Sequence, residues 1–85
     1  MNILVVDDSV TMRKIVVLAL GNKVSVIEAE NGKAALEITS REQVDLMILD
    51  INMPELNGLD FLKEYGKTPK AGKVPIIMLS THTEK

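Results

Sequence analysis

The chain of 85 residues has no cysteine, no tryptophan and only two aromatic residues, Phe61 and Tyr65. The absence of cysteine excludes a disulfide scaffold and a cysteine-ligated zinc or iron–sulfur site. Two aromatic rings and a net charge of -2 provide neither the stacking platform nor the basic surface of a nucleic-acid-binding protein. The hydrophobic core must therefore be built mainly from aliphatic side chains.

No stretch of the sequence stays apolar for the ~20 residues that a membrane-spanning helix needs. The longest apolar run, Ile15–Leu20, ends at Gly21. The first residues have no basic segment and soon reach Asp7 and Asp8, so they do not form a signal peptide. Hydrophobic residues make up 46% of the chain and charged residues 26%, which is typical of a globular domain. We expect a single cytoplasmic domain without a membrane segment.

Short apolar runs alternate with segments whose apolar residues recur at helical spacing. Apolar runs without polar alternation are typical of strands that are buried on both faces. The helical segments begin near polar capping residues, and the first of them ends at a glycine. The predicted strands are Ile3–Val6, Val24–Ala29, Leu46–Leu49 and Pro75–Leu79, and the predicted helices end at Leu20, at about Arg41 and at Tyr65, with a fourth beginning near Thr81.

Strands and helices are predicted to alternate along the whole chain. Asn31-Gly32 also fits a hairpin turn, but the alanine-rich segment after it favours a helix. Alternating strands and helices predict βαβ units and a parallel sheet with right-handed crossovers. The predicted fold class is therefore α/β, with about four strands, three helices and the start of a fourth. In such a fold, ligands bind beyond the carboxyl ends of the strands.

Three acidic residues follow predicted strands at that edge of the sheet. Asp7 and Asp8 come directly after the first strand, and Asp50 comes after the third. If these strands are neighbours, their ends lie ~4.8 Å apart and the three carboxylates share one crevice. Crowded carboxylates need a proton or a cation, and a set of oxygen ligands favours Mg²⁺. Ser80, at the end of the fourth strand, is placed to donate a hydrogen bond into the same crevice.

Each of these residues also has a simpler interpretation. Asp7 and Asp8 fit the role of N-caps for the first helix, and Asp50 fits a turn. Ser80 fits the role of N-cap for a fourth helix. The position of all three acids at one edge of the predicted sheet favours a binding site.

Four lysines lie between residues 63 and 73, and the single histidine of the chain follows at position 82. We interpret Lys63, Lys67, Lys70 and Lys73 as a solvated face and not as a nucleic-acid patch. His82 has no partner in the sequence, and we interpret it as a surface or capping residue. Neither feature adds to the predicted site.

Five stretches form a pattern that is more specific than any one of them: ILVVDDS (3–9), AENGKAA (29–35), DLMILD (45–50), NMPELNGL (52–59) and PIIMLS (75–80). Together they resemble the receiver domain of bacterial two-component response regulators. The resemblance implies a flavodoxin-like parallel sheet with the strand order 2-1-3-4-5 known for chemotaxis receivers. It covers this whole chain but about the first two thirds of the family domain. We therefore expect residues 1–85 to form one partial, truncated receiver domain that lacks the fifth strand and fifth helix.

The resemblance also implies a role for each candidate site residue. Asp50 corresponds to the phosphoacceptor and Asp8 to the direct Mg²⁺ ligand, while Asp7 corresponds to the acid that holds the metal through water. The backbone carbonyl of Asn52 corresponds to the third protein ligand. The Ser80 hydroxyl corresponds to the switch group that bonds the phosphoryl group.

The implied function is phosphorelay signalling and not conventional enzyme catalysis. A histidine kinase or phosphotransfer protein would phosphorylate Asp50, and the modified domain would switch the binding of an unknown output partner. At most, the domain would catalyse its own phosphorylation and dephosphorylation. A phosphatase of the haloacid dehalogenase type is disfavoured, because such sites use a second Asp where this chain has Asn52.

Two departures from the family pattern define an alternative function. The family's active-site lysine belongs to the part without a match, and Thr81 stands where the family usually has Ala or Gly. The alternative is therefore a phosphorylation-impaired fragment that serves as an assembly or interaction piece. The apolar fourth strand, Pro75–Leu79, would form an open edge of the sheet and predicts a homodimer or higher oligomer.

Overall fold

The computed structural model describes residues 1–51, 58–70 and 72–79. These residues form one sheet of the parallel strands β1 (Asn2–Val6), β2 (Ser25–Ala29), β3 (Leu46–Asp50) and β4 (Ile76–Leu79). The spatial order of the strands is β2-β1-β3-β4, and helices alternate with them along the chain. The predicted α/β class and the flavodoxin-like order of these four strands are confirmed. The predicted start of a fourth helix at Thr81 lies outside the described residues. The helices are α1 (Val10–Leu20), α2 (Gly32–Arg41) and α3 (Gly58–Tyr65).

Helix α1 begins and ends at residues that satisfy its free backbone groups. The Ser9 hydroxyl accepts a hydrogen bond of 3.2 Å from the backbone N–H of Met12. At the other end, Gly21 has a φ of 76°, a conformation that favours glycine. Ser9 is the N-cap, so the interpretation of Asp7 and Asp8 as N-caps of this helix is wrong.

Asn31, where the sequence also fits a hairpin, is the N-cap of helix α2. The Asn31 side chain accepts a hydrogen bond of 2.7 Å from the backbone N–H of Ala34. Such a bond satisfies one of the N–H groups that the first turn of a helix leaves free. Asn31 therefore serves as a helix cap, and the predicted helix is confirmed.

The two faces of the sheet carry separate hydrophobic clusters. Successive residues of β1 point to opposite faces, so Leu4 and Val6 lie on one face while Ile3 and Val5 lie on the other. Helices α2 and α3 cover the face of Leu4 and Val6, where Phe61 is fully buried. Helix α1 covers the opposite face through its partly buried residues. Both faces of β1 are buried, which explains its uninterrupted apolar sequence.

A clamp at the amino ends of β1 and β3 sets their register. The Asp45 carboxylate accepts a hydrogen bond of 2.7 Å from the backbone N–H of Asn2, and the Asp45 N–H donates to the Asn2 carbonyl at 2.8 Å. The Asn2 side chain donates to the carbonyl of Gln43 at 2.8 Å. This register pairs Val6 with Leu49 near the carboxyl ends of the two strands. The residues that follow them therefore emerge side by side.

Lys70 differs from the other three lysines of its segment. Lys63, Lys67 and Lys73 are exposed, as the interpretation of a solvated face predicts. The Lys70 ammonium group instead donates hydrogen bonds to the carbonyls of Thr39 and Glu42 at the end of α2. A cation at this position stabilises the free carbonyls of a helix C-terminus. For Lys70, the interpretation of a solvated side chain is wrong.

Candidate metal and phosphoacceptor site

The three acidic residues lie together beyond the carboxyl ends of β1 and β3. Asp7 and Asp8 follow β1, and Asp50 is the last residue of β3. One carboxylate oxygen from each residue lies within 4.8 Å of the oxygens from the other two. The predicted clustering of these acids is confirmed. The predictions for Asn52 and Ser80 concern residues outside the described ranges.

The backbone holds Asp7 firmly at this edge. Its N–H donates to the carbonyl of Ala29 at 3.0 Å and so extends the pairing of β1 with β2. Its side chain accepts a hydrogen bond of 2.9 Å from the backbone N–H of Ser9. Asp7 and Asp50 are both buried, whereas Asp8 is exposed. A ligand would therefore approach the cluster from the side of Asp8.

The crowding of the three acids affects the pKa of Asp7. Burial raises the pKa of the Asp7 carboxyl above its ordinary value of 3.8, and the charges of Asp50 and Asp8 raise it further. The hydrogen bond from Ser9 and the charge of Arg13 lower the pKa, but they do not cancel the rise. The folded chain thus holds this proton more tightly than the unfolded chain does. The contribution of Asp7 to stability consequently falls as pH rises through the interval above 3.8.

The chemistry of the three donors fits Mg²⁺. Every donor is a carboxylate oxygen, and Mg²⁺ binds through one or two carboxylates while it keeps several water molecules. Its ligands lie about 2.1 Å from the ion, so opposite ligands are about 4.2 Å apart. Oxygens within 4.8 Å of one another are therefore close enough to share one ion, with water molecules completing its ligand set.

Arg13 is a residue of this region that the sequence does not identify as part of a site. Its Nη1 donates a hydrogen bond of 2.6 Å to the backbone carbonyl of Asp7. Its Nε donates to the Glu28 carboxylate at 2.9 Å. One signal was available in the sequence: a cation near a helix N-terminus opposes the helix dipole and therefore needs a partner elsewhere.

Comparison with known proteins establishes the family of the chain. The model of the response regulator receiver domain matches residues 3–85. The chain belongs to this family. A chemotaxis protein CheY homolog of Campylobacter jejuni is 44% identical over 89 aligned residues, which cover 100% of this chain and 68% of that protein. The chain is thus a receiver domain of two-component signalling, as its motifs predict.

Other relatives carry the same domain in different contexts. A protein-glutamate methylesterase/protein-glutamine glutaminase of Nocardioides is 43% identical over 98% of this receiver but only 23% of the longer enzyme. The response regulator TrrA of Thermotoga maritima, solved in complex with Mg²⁺–BeF, superposes with a TM-score of 0.85 and 36% identity. That alignment covers 96% of this receiver and 70% of TrrA. The shared domain defines a signalling family and not a class of enzyme.

The described part of the receiver contains no helix that is long and apolar enough to cross a membrane.

Proposed function

We propose that Asp50 accepts the phosphoryl group in this receiver, with Mg²⁺ as the cofactor. Asp8 would bind the metal directly, Asp7 would hold it through water, and the backbone carbonyl of Asn52 would be a third ligand. The hydroxyl of Ser80 would bond the transferred phosphoryl group. The observation that carries this proposal is the cluster of three carboxylates at adjacent strand ends. TrrA, a relative of similar structure, was solved with Mg²⁺–BeF, which supports the choice of metal.

Asp50 is well suited to act as a nucleophile. It is the last residue of β3, and the backbone N–H of the next residue, Ile51, donates to Leu79 of β4 at 3.1 Å. Asp50 pairs with Leu79 of β4, and the residue before it, Leu49, pairs with Val6 of β1, so the backbone at the carboxylate is held from both sides. A rigid carboxylate favours phosphoryl transfer, because that reaction depends mainly on positioning and on neutralisation of charge.

The proposed step is an in-line displacement at phosphorus. A carboxylate oxygen of Asp50 forms the new O–P bond while the bond from phosphorus to the donor's leaving group breaks. The electron pair of the broken bond departs with the leaving group, and an acyl phosphate remains on Asp50. Bound Mg²⁺ supplies the positive charge that offsets the carboxylate and phosphoryl oxygens. Asp7 and Asp8, which follow β1, would hold the ion near Asp50.

The proposed partners follow from this chemistry. A histidine kinase or phosphotransfer protein would supply the phosphoryl group, and an output partner would respond to the phosphorylated domain. We propose a cytoplasmic domain that acts through protein contacts and not through nucleic acid or membrane. Residues 1–85 would act as a single domain, since both hydrophobic clusters pack on one sheet. Any catalysis would be limited to the domain's own phosphorylation and dephosphorylation.

Asp50→Asn is expected to abolish phosphorylation of the chain by a small-molecule phosphodonor in the presence of Mg²⁺. The amide has no ionised oxygen to attack phosphorus, so no acyl phosphate can form at that position. Intact-mass spectrometry should show the addition of one phosphoryl group to the wild type and none to the variant. Asp8→Asn should slow the reaction at least about tenfold, because it removes a metal ligand.

Asp60→Asn is the matched control, since it changes an exposed acid in α3. It should be phosphorylated like the wild type. Modification that survives Asp50→Asn would show that the acceptor is a different residue. A wild-type chain that binds Mg²⁺ but takes up no phosphoryl group would favour the alternative function, an assembly or interaction piece.

We further propose that the 85-residue chain self-associates through the β4 side of its sheet. In the described part of the chain, β4 pairs with β3 alone. Its Ile77 lies opposite Ile48 on the face covered by α1, yet it remains 48% exposed. An edge strand with free backbone groups and exposed apolar side chains favours pairing with another copy.

Ile77→Lys is expected to shift the chain toward monomer, because a charge at the edge of a sheet opposes strand pairing. Size exclusion with light scattering, over a range of concentrations, measures the effect. Leu59→Lys is the control: it introduces the same charge at an exposed apolar position of α3, away from the β4 edge. A wild type that stays monomeric at every concentration would contradict the proposal.

A further inference from the structure

Arg13 connects three elements of the fold beneath the acidic cluster. The residue belongs to α1, its Nη1 contacts the carbonyl of Asp7 directly after β1, and its Nε contacts Glu28 of β2. Its side chain is only 12% exposed, although that of Glu28 is 45% exposed. The planar guanidinium group thus makes two hydrogen bonds in fixed directions, a geometry that lysine cannot reproduce.

The carbonyl that Arg13 binds belongs to the peptide that links Asp7 to Asp8. A peptide group is planar, so a fixed carbonyl also fixes the N–H and the Cα of Asp8. The Asp7 side of this link is held by the hydrogen bonds to Ala29 and Ser9. For the exposed Asp8, Arg13 therefore restricts the position of the Cα from which its side chain leaves the backbone.

Two effects of Arg13 on a bound cation oppose each other. Its positive charge lies close to the site and should weaken the binding of Mg²⁺ by repulsion. Its hydrogen bond should strengthen binding by holding the Asp7–Asp8 peptide in one orientation. Groups that orient metal ligands typically change metal affinity by about 10- to 100-fold. The orienting effect should therefore exceed the repulsion.

From these contacts we infer that Arg13 is a positioning residue for the metal site, anchored in turn by Glu28. The inference rests on the proposed function, because it assigns Arg13 a role in a site for Mg²⁺. It also gives β2 a connection to that site. Loss of the Glu28 carboxylate, on the surface of the sheet, would loosen the arginine and through it the Asp7–Asp8 peptide.

The sign of the change in Mg²⁺ affinity separates positioning from simple charge. If Arg13 acts only as a nearby charge, Arg13→Gln should bind Mg²⁺ more tightly than the wild type. If Arg13 positions Asp8, the same variant should bind about tenfold more weakly. The dissociation constant is measured by titration of Mg²⁺ into the full chain, with the backbone amide shifts of Asp7, Asp8 and Asp50 followed by NMR.

Lys14→Gln is the matched control, because it removes the same charge from the next residue of α1, whose side chain is exposed. It should leave the Mg²⁺ affinity within about twofold of the wild type. Arg13→Lys keeps the charge but not the two directed hydrogen bonds, so it should also bind Mg²⁺ more weakly. Glu28→Ala should weaken binding in the same direction by a smaller factor. Urea unfolding of each variant separates lost affinity from lost stability.

The possible outcomes distinguish this inference from the proposed function. A wild-type chain whose amides at Asp7, Asp8 and Asp50 do not respond to Mg²⁺ overturns the metal site and the role of Arg13 together. A wild type that responds, with Arg13→Gln and Arg13→Lys binding as tightly or more tightly, overturns the role of Arg13 alone. Should Arg13→Gln fail to fold, Arg13→Lys and Glu28→Ala carry the same comparison.

Discussion

Addition of 10 mM Mg²⁺ to the metal-free receiver is expected to raise its thermal unfolding midpoint by roughly 6–11 °C, and Asp50→Asn is expected to abolish most of that rise. A ligand that binds only the folded state with a Kd of about 1 mM stabilises it by about 1.4 kcal/mol at this concentration. For a domain of this size, about 1 kcal/mol corresponds to 4–8 °C. The rise is measured by circular dichroism with and without the metal.

Asp50→Asn should also change the thermal stability of the receiver in the absence of Mg²⁺. Asp7 and Asp50 are buried acids in one cluster, and Asp50→Asn removes one of the two buried charges. Without the metal, the variant should therefore unfold at a higher temperature than the wild type. Asp50→Asn should thus raise the unfolding temperature of the metal-free protein, because it relieves like-charge repulsion, and reduce the further rise that Mg²⁺ causes.

Two controls test the origin of the effect. Sodium chloride at matched ionic strength separates site binding from general screening of charge. Asp60→Asn removes an exposed acid from α3 and should keep the full response to Mg²⁺. If Asp50→Asn responds to Mg²⁺ as the wild type does, Asp50 does not belong to the metal site.

Phe61→Ala is expected to destabilise the receiver by about 3–5 kcal/mol. Phe61 is the largest of the fully buried side chains, and its ring stacks on Tyr65 with 5.6 Å between the ring centroids. It joins α3 to the cluster that contains Leu4 and Met47. A domain of 85 residues typically has only about 4–13 kcal/mol of stability in total. The substitution should therefore remove a large share of the total stability of the receiver.

Urea unfolding followed by circular dichroism measures this loss. Leu59→Ala is the control within the same helix, because Leu59 is 59% exposed and its truncation should change stability by less than about 0.5 kcal/mol. Phe61→Leu, which keeps an apolar side chain in the cavity, should fall between the two. Equal losses for Phe61→Ala and Leu59→Ala would show that α3 contributes little to the core.

Local patterns predicted the elements of this fold well. The run Ile3–Val6 has no polar alternation because both of its faces are buried, and the observed β1 extends it by one residue. Gly21 ended the first helix as predicted, since it adopts the positive φ that such an end requires. The bounds of the strands agree to within one residue for the same reason: each is set by residues that are adjacent in the sequence.

The candidate site was predictable only with an additional assumption. Asp7, Asp8 and Asp50 were expected to meet if β1 and β3 are neighbours, and that adjacency came from the resemblance to the receiver family. The apolar runs alone are compatible with several strand orders. The clamp between Asn2 and Asp45, which sets the register of the two strands, joins residues 43 apart in the sequence.

The sequence by itself determined where this receiver forms its strands, where its first helix ends, and which acids follow the strands, because these properties depend on neighbouring residues. Only the tertiary structure decided which side chains join these strands and helices to one another. Arg13 and Lys70 both look like surface cations in the sequence, but their partners Glu28 and Thr39 lie 15 and 31 residues away. Long, charged side chains are compatible with many partners, and only the packed sheet brings one set of acceptors within reach of each.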